Sequence, residues 1–117
     1  MIKEFTQGGY GYLLNTDSRL QVIKRLKIVS VGRKYVTVQD SYERKFEEHA
    51  TANYLIEHTK SGYSGKLFLT KEAAEEYIEV EKISLELHKI DLYKYRKCSL
   101  EQLKEIKRIL KEAGVIK

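Results

Sequence analysis

The stretch VGRKYVTVQD, residues 31–40, decides the fold. One β-branched run ends at Val31 and another opens at Tyr35, and between them Gly32 is followed by two basic residues. That is the grammar of a β-hairpin. Upstream, Leu20, Val22, Leu26 and Ile28 share one parity, while Ile23, Val29 and Val31 share the other. A parity switch within one long strand predicts a bulge or sharp bend, placed here near Lys24 and Arg25. Downstream, Asp40 and Ser41 read as a turn. Tyr42, Arg44, Phe46 and Glu48 then alternate with Glu43, Lys45 and Glu47, a short strand with one aromatic edge. Residues 54–57 and 66–69 complete the series across the Gly-containing loop 59–65. Five short strands within about fifty residues fit a small SH3-like barrel better than an open sheet.

The rest of the chain changes period. Thr70 is placed to cap a helix whose first turns carry Glu72, Glu75 and Glu76 at the positive end of the dipole. Ala73, Tyr77, Val80, Ile83, Leu87 and Ile90 make one apolar ridge, and Ile78, Leu85 and Leu92 make a second. Two ridges on one long helix predict two packing partners, the barrel and another helix. Residues 83–87 alternate strictly and also match a strand, although the Ala/Glu-rich lead-in favours helix. Ser99 with Gln102 fits a capping box, and Leu100, Leu103, Ile106, Leu110 and Ala113 form the face of a last helix that Gly114 stops. The expected fold is therefore α+β: a small SH3-like β-barrel followed by two C-terminal helices. It is expected to form a single domain over 1–117, with the barrel at about 1–69 and the helical unit at about 70–117.

Composition narrows the function classes. The chain has 117 residues, 33% charged and 42% hydrophobic, which suits one soluble globular domain. No apolar run approaches the ~20 residues needed to cross a bilayer, and the first residues lack the apolar core of a secretory signal. Cys98 is the only cysteine, so no internal disulfide forms and a reducing cytoplasm is the expected location. The net charge of +5 is uneven: residues 1–70 carry 11 basic and 7 acidic side chains, residues 71–117 carry 11 and 10. Nine of the twelve aromatic residues also lie in the first part. Cations for phosphates and flat rings for bases are what a nucleic-acid surface needs.

Three stretches, VGRKYVTV at 31–38, LFLTKEAAEEYIE at 67–79 and SLEQLKEIKRIL at 99–110, together resemble a group of small β-barrel proteins of Gram-positive bacteria, their phages and other mobile elements. The similarity covers most of residues 20–112, and its motifs are structural: a hairpin, a helix start and a capped helix. No activity is attached to that group, so the resemblance hands over no catalytic residue. It implies a mobile-element setting, in which nucleic-acid handling or inhibition of a host defence complex is expected ahead of metabolism.

No constellation of residues reads as catalytic. Asp40 with Glu43 and Lys45 has the residue types of a metal-dependent nuclease, but the Asp stands in the same turn as the Glu, where a charged hairpin is the simpler reading. Gly62, Tyr63, Ser64, Gly65 and Lys66 fall short of a phosphate loop in spacing. His49, His58 and His88 lie at no metal-ligand spacing, and no metal or cofactor is expected. Cys98 has no His partner that would make it a nucleophile. Tyr10 and Tyr12, displayed on the Gly-rich segment 7–12, either stack on a ligand or tuck into the barrel mouth. The expectation is a non-catalytic module that binds nucleic acid. Arg25, Lys27, Arg33, Lys34, Arg44 and Lys45 would meet phosphate, and Tyr35 and Tyr42 would offer stacking faces. The alternative is a protein that binds and inhibits a host nuclease or defence complex, of anti-CRISPR type. In either case Ile78, Leu85 and Leu92 are expected to contact a partner, a second copy of the chain included.

Overall fold

In the computed structural model, residues 1–15, 22–49, 52–58 and 65–117 are described. Leu20 of the expected first strand and residues 59–64 of the Gly-containing loop lie outside them. The described residues fall into two compact units, Met1–Val80 and Glu81–Lys117.

The first unit is built on six antiparallel strands: β1 (Tyr10–Asn15), β2 (Ile23–Val31), β3 (Val36–Gln39), β4 (Glu43–Glu48), β5 (Leu55–Glu57) and β6 (Gly65–Phe68). Each pairs with the next, and β6 returns to β1 to close the barrel. Closure gives each of these strands a neighbour on both sides, so none of them is an open edge. β2 to β6 fall where the sequence places its five strands. The sixth, β1, is a strand the sequence reading does not place: the end of the Gly-rich segment 7–12 opens a full barrel strand, joined to β2 from Tyr10↔Lys27 to Leu14↔Ile23. It comes after Gly8, whose φ of 85° is open to glycine but costly for other residues.

Side-chain alternation divides the barrel into an inside and an outside. Leu13, Leu26, Ile28, Val36, Val38, Phe46, Leu55 and Leu67 fill the interior, and Ile2 and Phe5 join the same core from the N-terminal segment. Gly11 also faces inward, because a Cβ there would stand 2.8 Å from Leu67 Cδ1. The predicted irregularity of β2 exists but lies between Ile28 and Ser30, not at Lys24 and Arg25. The strand keeps Leu26 and Ile28 inside up to that point, and the extra residue, Val29, re-aims Ser30 and Val31 beyond it.

Helix α1 (Lys71–His88) begins on the outside of the barrel. Thr70 Oγ1 accepts from the Ala73 N–H at 3.1 Å, as a helix N-cap does. Leu14, Phe68 and Ala74 form a second buried cluster, with Tyr12, Ile23, Tyr54, Ala73, Tyr77 and Ile78 packed on it. Ile78, expected to contact a partner, is partly buried and packs on this cluster. Residues 83–87 are helical. Further along α1, Val80, Ile83 and Leu87 make a separate exposed stripe, turned by roughly a third of a revolution from the barrel-facing one at 3.6 residues per turn.

In the second unit α1 stops at His88 instead of running to Leu92. Asp91 then caps a short helix, α2 (Leu92–Tyr95), so the described residues form three α-helices rather than two. Helix α3 (Leu100–Glu112) starts as its sequence predicts. Ser99 Oγ accepts from the Gln102 N–H at 3.1 Å, and Gln102 Oε1 accepts from the Ser99 N–H at 2.9 Å. Gly114, at φ 76°, closes it.

Candidate nucleic-acid interface

The outer face of β1 to β4 gathers cations and tyrosines by register alone. Because alternate residues of a strand share a face, Tyr10 and Tyr12 of β1 stand outside, opposite Lys27 and Arg25 of β2. The Arg25 guanidinium carbon lies 4.5 Å from the centre of the Tyr10 ring, within cation–π range. Tyr10 is about half exposed. Lys27 is in turn opposite Gln39 of β3, and Thr37 is opposite Lys45 of β4.

The β2–β3 hairpin carries a second group. The Gly32 N–H donates to the Tyr35 carbonyl at 2.8 Å, which closes the turn and leaves Arg33 and Lys34 exposed at its tip. The ammonium groups of Lys34 and Lys45 lie 5.4 and 5.7 Å from the Tyr35 ring centre. The His58 ring stands 5.2 Å from the same tyrosine. Among the described residues, Arg25, Lys27, Arg33, Lys34 and Lys45 form no ion pair with a carboxylate. Beside the hairpin, a depression of about 820 Å³ opens between Gly32, Arg33 and the N-terminal segment around Ile2 and Lys3. The carboxylate in its lining, Glu48, accepts from the Ile2 N–H at 3.1 Å, the main reason it is held below the usual carboxylate range.

Arg44 does not belong to this face. It points into the barrel, 9% exposed, where its Nε and Nη2 donate to Glu57 at 2.7 and 2.5 Å. Its Nη1 donates to Asp40 at 3.2 Å, and Nη2 also reaches Asn15 Oδ1 at 3.3 Å. Hydrogen bonding to Glu57 raises the Arg44 pKa further above its ordinary value. Burial pushes Glu57 up, but Arg44 and the Gly65 N–H outweigh it and hold Glu57 below the usual range. Asp40 is also held low, first by Lys24, whose Nζ donates to it at 2.9 Å, and then by Arg44. Asp40 is therefore committed to two cations, not poised beside Glu43 for a metal. Among the described residues no group of three His, Cys, Asp or Glu side chains could hold one.

Tyr42 is well exposed, at the turn before β4, with the Arg44 guanidinium carbon 5.8 Å from its ring centre. The structure thus brings Arg25 and Lys27 together on β2, and Lys34, Tyr35 and Lys45 together near the hairpin. It takes Arg44 away and adds Tyr10. Of the two places the sequence leaves open for Tyr10, a ligand face or the barrel mouth, the half-exposed ring stands on the outer face. Leu85 and Leu92 are exposed on the helices, at 61% and 68%.

No curated protein and no solved structure matches the chain. A family model described as the phage ProQ C-terminal-like domain matches residues 8–113. That span takes in all six strands and all three α-helices, and the chain belongs to the phage ProQ C-terminal-like domain family.

Proposed function

We propose that this protein is a non-catalytic module that binds nucleic acid through the outer face of its barrel. Arg25, Lys27, Arg33, Lys34 and Lys45 contact phosphate, while Tyr10, Tyr35 and Tyr42 offer ring faces to bases. The observation that carries the reading is the pairing of tyrosines with cations that have no carboxylate partner among the described residues. Two such groups, Tyr10 with Arg25 and Tyr35 with Lys34 and Lys45, lie on one barrel. Cations tracking a backbone beside stackable rings are the parts from which single-strand sites are made. The family name adds support, since ProQ proteins are an RNA-binding family. In this reading the barrel is a small one of SH3-like type, and the protein acts in the cytoplasm. No helix among the described residues is long and apolar enough to cross a membrane.

The test is a binding titration against single-stranded RNA and DNA over a range of salt. Each phosphate contact releases counterions, so affinity falls steeply as salt rises. Replacing Arg33 and Lys34 by Ala is expected to flatten the salt slope by about two units. A folded protein that binds neither polymer at low salt would overturn the proposal.

A second reading, a phage protein that binds and inhibits a host defence complex, is favoured by the exposed Leu85 and Leu92. Exposed leucines serve a protein contact better than a nucleic acid. A host complex retained after nuclease treatment of a pull-down, and lost from Leu85→Ser with Leu92→Ser, would put this reading first. A homodimer through the same residues would instead show as a doubled mass in light scattering.

A further inference from the structure

We propose that helix α3 carries a second nucleic-acid contact, a stripe of Lys104, Lys107 and Lys111 that runs along a phosphate backbone. At about 100° per residue, these three and Arg108 fall within one arc of roughly 100°. Glu101, Glu105 and Glu112 occupy the neighbouring arc, Leu103, Ile106, Ile109, Leu110 and Ala113 occupy the remainder, and the exposed Leu100 of the first turn stands at the foot of the basic arc. The helix is divided lengthwise into a basic, an acidic and an apolar stripe.

Arg108 keeps the first two stripes electrically apart. Its Nη1 donates to Glu112 at 2.6 Å and its Nε to Glu105 at 3.1 Å, and Nη2 forms a further bond to Glu105. Those hydrogen bonds hold Glu105 below its usual carboxylate range. Both carboxylates are thereby spent on Arg108. Lys104, Lys107 and Lys111 are exposed and form no ion pair among the described residues. They stand three and four residues apart, where like charges on one helix face repel and destabilise the helix. An anionic ligand along the stripe reverses that cost. Seven residues of helix rise about 10 Å, so the stripe presents a line of charge, which suits a polymer backbone.

The arrangement disfavours a membrane surface. A helix lying in an anionic bilayer presents a strongly basic polar side above its apolar face. Here Lys107 borders the apolar stripe at Leu103, but Glu105 and Glu112 border it at Ile109 and would meet the headgroups. The choice of nucleic acid as the polyanion rests on the reading of the barrel face.

The test uses the full chain and labelled single-stranded RNA, with Lys104, Lys107 and Lys111 all replaced by Gln, a residue of similar helix propensity. Circular dichroism checks that the helices remain. The expected result is a salt slope lower by about two units. An unchanged slope in a variant that still binds would overturn the stripe and leave the barrel reading standing. A slope flattened by the Gln variant but not by Arg33→Ala with Lys34→Ala would support the stripe and remove the hairpin. If the wild type binds neither RNA nor DNA, both proposals fall. If the variant loses only its binding to phosphatidylserine vesicles, the stripe is a membrane contact and the proposal falls.

Discussion

The two units of this chain are held together in different ways. Among the described residues, the barrel unit buries thirteen apolar ones, drawn from its N-terminal segment, its strands and its first helix. Between Glu81 and Lys117 no residue is buried. Ile90, Tyr95, Cys98, Leu103, Ile106 and Leu110 are half-covered, and the rest are exposed. What orders this second unit is local: the Asp91 cap, the Ser99–Gln102 capping box and the Arg108 pairs. A long-range core makes a cooperative unit, whereas short helices without one are marginal in water. A lesion in the barrel should therefore propagate through the unit, and a lesion in the helices should stay where it is made.

The largest expected effect comes from breaking the barrel's internal ion pairs. Arg44→Met leaves Glu57 buried without its cation, which typically costs about 3–5 kcal/mol. Urea unfolding monitored by tyrosine fluorescence measures it. The same network fixes the acid response. Asp40 and Glu57 are held below their ordinary values of 3.8 and 4.5. A depressed carboxylate contributes stability above its unfolded value and loses it as pH falls through the folded one. The barrel should weaken below about pH 4.5, and Arg44→Met should flatten that acid limb. A variant as stable as the wild type would show that the pairs carry none of the difference between the units.

A smaller effect separates where the barrel ends from where its helix ends. Cutting the chain after Thr70 removes Ala74, Tyr77 and Ile78 and uncovers Leu14 and Phe68. Each such side chain is worth roughly 1.5–3 kcal/mol when fully re-exposed, and both stay partly covered by their neighbours Tyr12, Ile23 and Tyr54, so the loss falls below that of two full exposures. Cutting after Val80, at the boundary between the units, keeps that cover and should leave the barrel's melting temperature close to that of the full chain. If both shortened chains melt alike and well below the full chain, the helical unit stabilises the barrel and the whole chain is one cooperative domain.

Legibility in the sequence divides along the same line. Capping and hairpin turns are written in four or five neighbouring residues, so α3 and the β2–β3 turn stand where the pattern puts them. β1 was hidden because its inward position Gly11 has no side chain of its own. Its packing partner, Leu67, belongs to another strand. Arg44 misled for a related reason: its charge suggested the surface, while its shared parity with the core residue Phe46 signalled the interior. Glu57, Asp40 and Asn15, which all accept from its guanidinium, make that interior position tolerable. The end of α1 at His88 was also obscured, since the apolar ridges continue through Ile90 and Leu92 while Asp91 starts a new helix.

The smallest expected effect tests whether helical order is local. Ser99→Ala removes the hydroxyl that accepts from the Gln102 N–H and breaks one half of the capping box. Losing such a cap costs about 1 kcal/mol. In a helix of thirteen residues with no buried side chain, that is enough to shift the balance between helix and coil. Far-UV circular dichroism should lose helical signal, and amide exchange should quicken across residues 100–112. The barrel's amides and its urea midpoint should not move. Ser99→Asp, which restores an acceptor at the cap, should recover the signal. Barrel amides that quicken together with those of α3 in the Ala variant would mean that the two units share stability, and the contrast between core-held and cap-held structure would fail.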